Sequence, residues 1–152
     1  MTPEERLKEM GIELQEATSF HPAMAVGVIT GNLLYLSGTT PPDRPDKQWR
    51  GRVGETYTVE EGYQAARECA IQQLAMAKTV LGDLSRIRRV VKALGMVNSP
   101  PGFSDHPRVM HGYSELMHEV LGERGVHARS AVGMQGLPSN APIEVETIFE
   151  ID

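Results

Sequence analysis

The chain predicts an α+β fold: one mixed β-sheet with two helices packed on a single face, preceded by a short N-terminal helix. Three observations predict it. A tight-turn pair, Gly31-Asn32, separates two β-rich stretches near the start. Two helical patterns, each closed by a glycine, alternate with a strand pattern in the middle, and two alternating strands occupy 128–134 and 143–151. A length of 152 residues suits one domain, 1–152. A fold of that size buries about 68–70% of the surface its unfolded chain exposes, so a single core without disulfides suffices.

Each element has its own signal. Thr2-Pro3-Glu4-Glu5 is a capping box with proline at the first helical position, and Gly11 ends the short helix that carries Leu7 and Met10. Residues 1–12 read as an N-terminal appendage. Ala25–Thr30 and Leu33–Ser37 form the hairpin. From Thr39 to Tyr57, Pro41, Pro42, Pro45, Gly51 and Gly54 surround the lone Trp49, a long loop of the kind that borders sites. Thr58-Val59-Glu60-Glu61 is a second capping box; Ala66, Ala70, Leu74, Ala77 and Leu81 then recur every three or four residues until Gly82. That narrow, alanine-rich face lets a helix lie close against a sheet. The strand 86–97 follows, then Asn98-Ser99-Pro100-Pro101-Gly102. A further helix starts near Ser104 or Asp105, buries Val109, Tyr113, Leu116 and Val120, and ends at Gly122.

With both helices as crossovers on one face, the other sheet face lacks cover. Strand 143–151 puts Ile143, Val145, Thr147, Phe149 and Ile151 on one side and Glu144, Glu146, Ile148 and Glu150 on the other, so the uncovered face is mixed in character. Association of sheets is a natural way to cover it.

Composition excludes several functions. Twenty acidic against fifteen basic residues give a formal charge of −5, which works against general attraction to nucleic acid or anionic membranes. The one basic cluster, Arg86, Arg88, Arg89 and Lys92, reads as a solvated sheet edge or charged strand end. Three Phe, four Tyr and one Trp leave no stacking platform for bases. No apolar run approaches the 18 or so residues of a spanning helix, and M-T-P-E-E-R-L-K is too polar for a signal peptide, so a cytoplasmic location is expected. Cys69 lies in an apolar helical pattern and reads as a small buried hydrophobe. None of the five histidines sits at H-x-x-x-H spacing, and no G-x-S-x-G elbow or phosphate loop occurs. His111 and His118, seven apart on a helix, could share a face as an acid–base pair, but both read as surface residues.

Arg129 and Glu144 remain. Arg129 stands among small residues, Ala128, Ser130, Ala131 and Gly133, which leaves room around a planar fork able to grip a carboxylate with two parallel hydrogen bonds. Glu144 lies in the next strand, beyond the L-P-S-N-A-P turn, so one cation and one carboxylate can be aimed at the same small molecule. A plain cross-strand ion pair satisfies the spacing as well.

Motif context separates these. L-Y-L-S-G (34–38), the T-x-E-E-G helix start (58–62), L-G-D-L-S-R-I-R-R-V-V-K (81–92), H-A-R-S-A-V-G (127–133) and L-P-x-x-A-P-I-E-V-E (137–146) resemble the RidA/YjgF family of reactive-intermediate deaminases. More narrowly they resemble its longer subfamily, labelled endoribonuclease L-PSP or YjgF/chorismate-mutase-like. The resemblance implies a chorismate-mutase-like fold and a homotrimer whose sheets face a central barrel, with clefts at the subunit interfaces. It implies that Arg129 binds a substrate carboxylate and that Glu144 positions the attacking water. Ser37, Gly38 and the main chain of 129–131, including Ser130 and Ala131, would line the cleft. The implied reaction hydrolyses 2-aminoacrylate-like enamines and imines to 2-keto acids and ammonia, with no metal or organic cofactor. The chain departs from the short deaminase branch at Met24 for a tyrosine, His111 for an asparagine and Ala131 for a cysteine. Two other functions fit the family: a non-catalytic trimer that binds small metabolites, and the ribonuclease or translation inhibitor of its older label. The sequence leaves open whether Glu144 or Glu146 faces the cleft, since both point to one side of the strand.

Overall fold

The structure, a computed structural model, describes residues 1–152. Its elements run α1 (Pro3–Glu9), β1 (Gly27–Thr30), β2 (Leu33–Leu36), α2 (Val59–Leu81), β3 (Ile87–Asn98), α3 (His106–Leu121), β4 (Ala128–Met134) and β5 (Ile143–Ile151). The five strands form one sheet in the order β1-β2-β5-β3-β4. β3 and β4 are parallel neighbours, and every other pairing is antiparallel. Each crossover helix therefore joins strands that run the same way: α2 carries the chain over β5 from β2 to β3, and α3 carries it from β3 to β4. No helix is long and apolar enough to cross a membrane.

Strand alternation separates two faces. Ala93, Gly95 and Val97 of β3 and Ile143, Val145, Thr147, Phe149 and Ile151 of β5 are buried beneath the helices. The hydroxyl of Tyr113 on α3 meets that of Thr147 at 2.6 Å, which satisfies two polar groups inside the core. Helices α2 and α3 approach so closely that a Cβ on Gly112 would overlap the carbonyl of Tyr63. Both capping boxes form, at Thr2 with Glu5 and at Thr58 with Glu61. The open face presents Lys92, Leu94, Met96, Glu144, Glu146, Ile148 and Glu150, with Val28 and Tyr35 exposed on the hairpin.

One sequence expectation is corrected and another resolved. The N-terminal helix is not an appendage: Leu7 is 2% exposed within the main core, and Glu4 accepts hydrogen bonds from the Leu84 amide (2.8 Å) and Lys78 Nζ (3.0 Å). Seven helical residues are too few for periodicity to reveal which surface they cover. Of the two readings of the basic cluster, the charged strand end is the one that forms: Arg86, Arg88 and Arg89 stand at or just before the start of β3, which has β5 on one side and gains β4 on the other only from Lys92 onward. Three of its cations meet local partners there: Arg86 pairs with Asp152, Arg89 with Glu150, and Lys92 donates to Ser130 Oγ.

Candidate functional site

Arg129 lies level with Ala93 on the helix-covered face of β4, the last strand of the sheet. Its guanidinium reaches along α3 and finds three acceptors. Nη1 donates to Ser114 Oγ (2.9 Å); Nη2 donates to the Pro107 carbonyl (3.1 Å) and to His111 Nδ1 (2.9 Å). Since a guanidinium only donates, His111 must offer a bare lone pair at Nδ1 and carry its proton on Nε2. The open space expected around the fork is therefore occupied, because α3 descends onto β4 at this point. Both ways of gripping a carboxylate with two bonds use an Nη2 hydrogen, so such a grip has to displace one of its two present partners. Exposed His111 is the partner free to move, whereas the Pro107 carbonyl belongs to the backbone of α3.

Glu144 lies level with Met96 on the open face of β5. Its carboxyl crosses Gly38, where any Cβ would collide with Oε2, so glycine at 38 is a condition of this placement. The carboxyl borders a cavity of about 500 Å³ whose walls include Thr40, Pro41, Asp43, Arg50 and Ser139. Burial, with the charge of Glu146 as a second cause, holds Glu144 above the ordinary carboxylate pKa. Arg50 does not neutralise it, being clasped bidentately by Asp43 at 2.9 and 2.7 Å. Glu146, two residues on, is exposed, so Glu144 is the acid that borders the cavity.

None of the nine ion pairs involves Arg129 or Glu144. The cross-strand pair that spacing permitted does not form. β3 separates the two strands, the residues are three registers apart, and they occupy opposite faces. From strand spacing and rise, their backbones lie roughly 14 Å apart. Within one chain they cannot address one small molecule.

The other predicted residues divide the same way. Ser37 belongs beside Glu144: its hydroxyl donates to the Ala25 carbonyl (2.7 Å), and its own carbonyl accepts from Gln73 Nε2 (3.1 Å). Met24 shares a small groove with Ser37 and Gly38. His111 and Ala131 accompany Arg129, while Ser130 points to the open face and accepts from Lys92. His118 instead meets the Gly122 carbonyl at the end of α3, so no pair of imidazoles forms with His111. No group of three or more His, Cys, Asp or Glu is gathered as metal ligands would be. Cys69 is fully buried, and burial raises its thiol pKa well above the ordinary value.

Comparison with known proteins places the chain in a family. A family model described as "YjgF/chorismate mutase-like, putative endoribonuclease" matches residues 4–150. The chain belongs to this YjgF family. Protein TCP17 of Trypanosoma cruzi is 39% identical over 147 residues, covering 96% of this chain and 92% of that protein. The crystal structure of the protein Atu1372 from Agrobacterium tumefaciens is 45% identical and superposes with a TM-score of 0.91 over 99% of this chain and 92% of that one. A putative endoribonuclease from Shewanella oneidensis, 32% identical, superposes with a TM-score of 0.93 over 99% and 100% of the two chains.

Sequence reasoning on this YjgF chain missed Ser114 and His127 beside Arg129, and Asp43 and Arg50 beside Glu144. Signals for the first two were present. Ser114 is three residues after His111 and so on the same helical face, and His127 is two before Arg129 and so on the same strand face. Nothing in the sequence marks Arg50, because it comes to Glu144 through an irregular loop.

Proposed function

We propose that this protein is a RidA-like deaminase that hydrolyses small carboxylate-bearing enamines and imines to 2-keto acids and ammonia, at sites assembled between copies of the chain in a homotrimer. The observation that carries the proposal is the division of the predicted residues into two half-sites with complementary needs. Arg129 is a partly buried cation with no carboxylate; Glu144 is a partly buried carboxyl with no cation. A neighbouring copy that seats its Glu144, Ser37 and Gly38 against the β4 edge supplies what Arg129 lacks. The exposed Val28, Tyr35 and Val132 of the open face are the apolar surface that such an association buries.

In the proposed site the substrate carboxylate takes the place of His111 on Nη2 of Arg129. An enamine reaches the imine by gaining a proton at its β-carbon. Glu144 of the adjoining copy then orders a water, takes its proton as the oxygen bonds to the imine carbon, and the C=N π electrons pass to nitrogen. With the substrate protonated on nitrogen as the iminium, Glu144 returns that proton to the amine nitrogen of the tetrahedral adduct; the C–N bond then breaks as Glu144 accepts the remaining hydroxyl proton, so ammonia leaves and the carbonyl of the 2-keto acid forms. A carboxyl held above its ordinary pKa is a better base here than a free one.

Subunit complementation tests this. In an assay that generates 2-aminoacrylate and follows pyruvate, Arg129→Ala and Glu144→Ala should each be inactive alone. Random co-assembly of the two should restore about a quarter of wild-type activity, since one interface in four then has both residues intact. Zero restored activity in mixed assemblies would remove the shared site. A second function, ligand binding without turnover, is favoured by the separation of Arg129 from Glu144 within the chain. It wins if wild-type protein binds pyruvate and loses it with Arg129→Ala, yet leaves 2-aminoacrylate decay unchanged.

A further inference from the structure

We infer that Ser114 and His127 are positioning residues for Arg129, forming a one-directional hydrogen-bond relay that presets its guanidinium for a carboxylate. The inference rests on the proposed role of Arg129 as the carboxylate-binding group.

The direction of each bond follows from chemistry. The Gly125 carbonyl can only accept, so His127 Nδ1, at 2.7 Å, carries the proton. The neutral ring then has a lone pair at Nε2. Ser114 Oγ lies 3.0 Å from that lone pair and spends its single O–H there. The oxygen lone pairs of Ser114 are left for Arg129 Nη1, at 2.9 Å. Gly125, His127, Ser114 and Arg129 thus form one chain in which every donor has an acceptor.

Its surroundings keep the relay in this state. The Tyr113 ring meets the imidazole edge-on at a centroid distance of 5.4 Å, and Tyr113 is itself fixed by Thr147. Partial burial, aided by the charge of Arg129, lowers the pKa of His127 and keeps it neutral. The charged and titratable groups facing it are Arg129 from β4 and Tyr113 from α3; Arg124, in the preceding turn, is turned away to the Ile87 carbonyl. No acid takes part. A carboxylate in the place of Ser114 would hold the guanidinium more tightly but would cancel the charge that a ligand needs, whereas a hydroxyl fixes its plane and leaves the charge free.

The test uses the full-length protein and pyruvate as the probe. Rotation about the Arg129 Nε–Cζ bond, measured by nitrogen-15 NMR, should be slow in the wild type and faster in Ser114→Ala and in His127→Phe, which keeps a ring against Tyr113 without a lone pair. Pyruvate affinity should fall about tenfold in Ser114→Ala. Ser114→Thr, which keeps the hydroxyl, should restore both. Wild-type rotation rate and affinity in Ser114→Ala would overturn the inference, and that variant decides the matter if His127→Phe does not fold. If the wild type binds no pyruvate while Ser114→Ala still frees the rotation, the relay stands and the carboxylate-binding role of Arg129 falls.

Discussion

The β4–α3 corner and the β5–loop corner hold their functional groups by opposite means. Arg129 is fixed by attraction: three neutral acceptors from α3 take three of its five N–H groups, and a half-buried imidazole stands behind one of them. Glu144 has no hydrogen-bond or ion-pair partner and is fixed by exclusion, lying over a glycine that leaves room for it at the mouth of a cavity. The contrast matches what each group is asked to do in the proposed reaction. A cation that orients a ligand gains from being rigid before the ligand arrives, whereas a carboxyl that takes and returns a proton gains from an uncommitted lone pair and a raised pKa.

Four experiments sharpen or break this contrast. The largest effect is expected for Glu144→Gln, which keeps shape but removes the base: turnover of 2-aminoacrylate should fall by about 10²–10⁴ with pyruvate affinity little changed. Equal losses in both would mean that Glu144 serves binding. Next, Arg129→Lys should weaken pyruvate binding by about ten- to a hundredfold, measured by calorimetry, because a point charge cannot satisfy Ser114, the Pro107 carbonyl and a ligand together. Unaltered affinity would show that preset geometry at this corner is irrelevant.

Gly38→Ala comes third. The new methyl pushes the Glu144 carboxyl aside, so turnover should drop by about tenfold while Tm stays near that of the wild type, the obstacle being the far end of a flexible side chain. A large fall in Tm would mean instead that the backbone had shifted.

The smallest effect concerns stability against pH. The folded-state pKa of Glu144 is raised, so the unfolded chain gives up this proton more readily. Stability present below the unfolded pKa is lost as pH rises through the folded one. Glu144→Gln should therefore raise Tm at neutral pH, with the gain vanishing at about pH 3 where both states are protonated. A gain that persisted in acid would trace to packing and not to charge.

Elements governed by local chemistry were legible in the sequence. The capping boxes at Thr2 and Thr58, the Gly31-Asn32 hairpin and strands 128–134 and 143–151 all form where local rules put them. The buried face of α2, from Ala66 to Leu81, followed from a period repeated over about four turns of helix. The N-terminal helix was legible as a helix and illegible as part of the core, because its anchors, Leu7 in the core and Glu4 reaching a backbone amide eighty residues away, leave no local pattern. The long loop from Thr39 to Tyr57 declared its irregularity but not its contents. Trp49 is buried there with Nε1 donating to Glu68, and Arg50 is held by Asp43, two arrangements without period.

By itself the sequence determined the element order, the face each strand residue takes, and the identities of Arg129 and Glu144 as the groups worth following. Those properties depend on side-chain alternation, capping and motif, which act within a few residues. Only the tertiary structure decided where the two groups stand relative to each other. Strand order is set by which surfaces pack across the whole chain, and inserting β3 between β4 and β5 put Arg129 under the helices and Glu144 on the open face. Fifteen residues of sequence separation read as proximity; the sheet set the two groups on opposite faces with a strand between them.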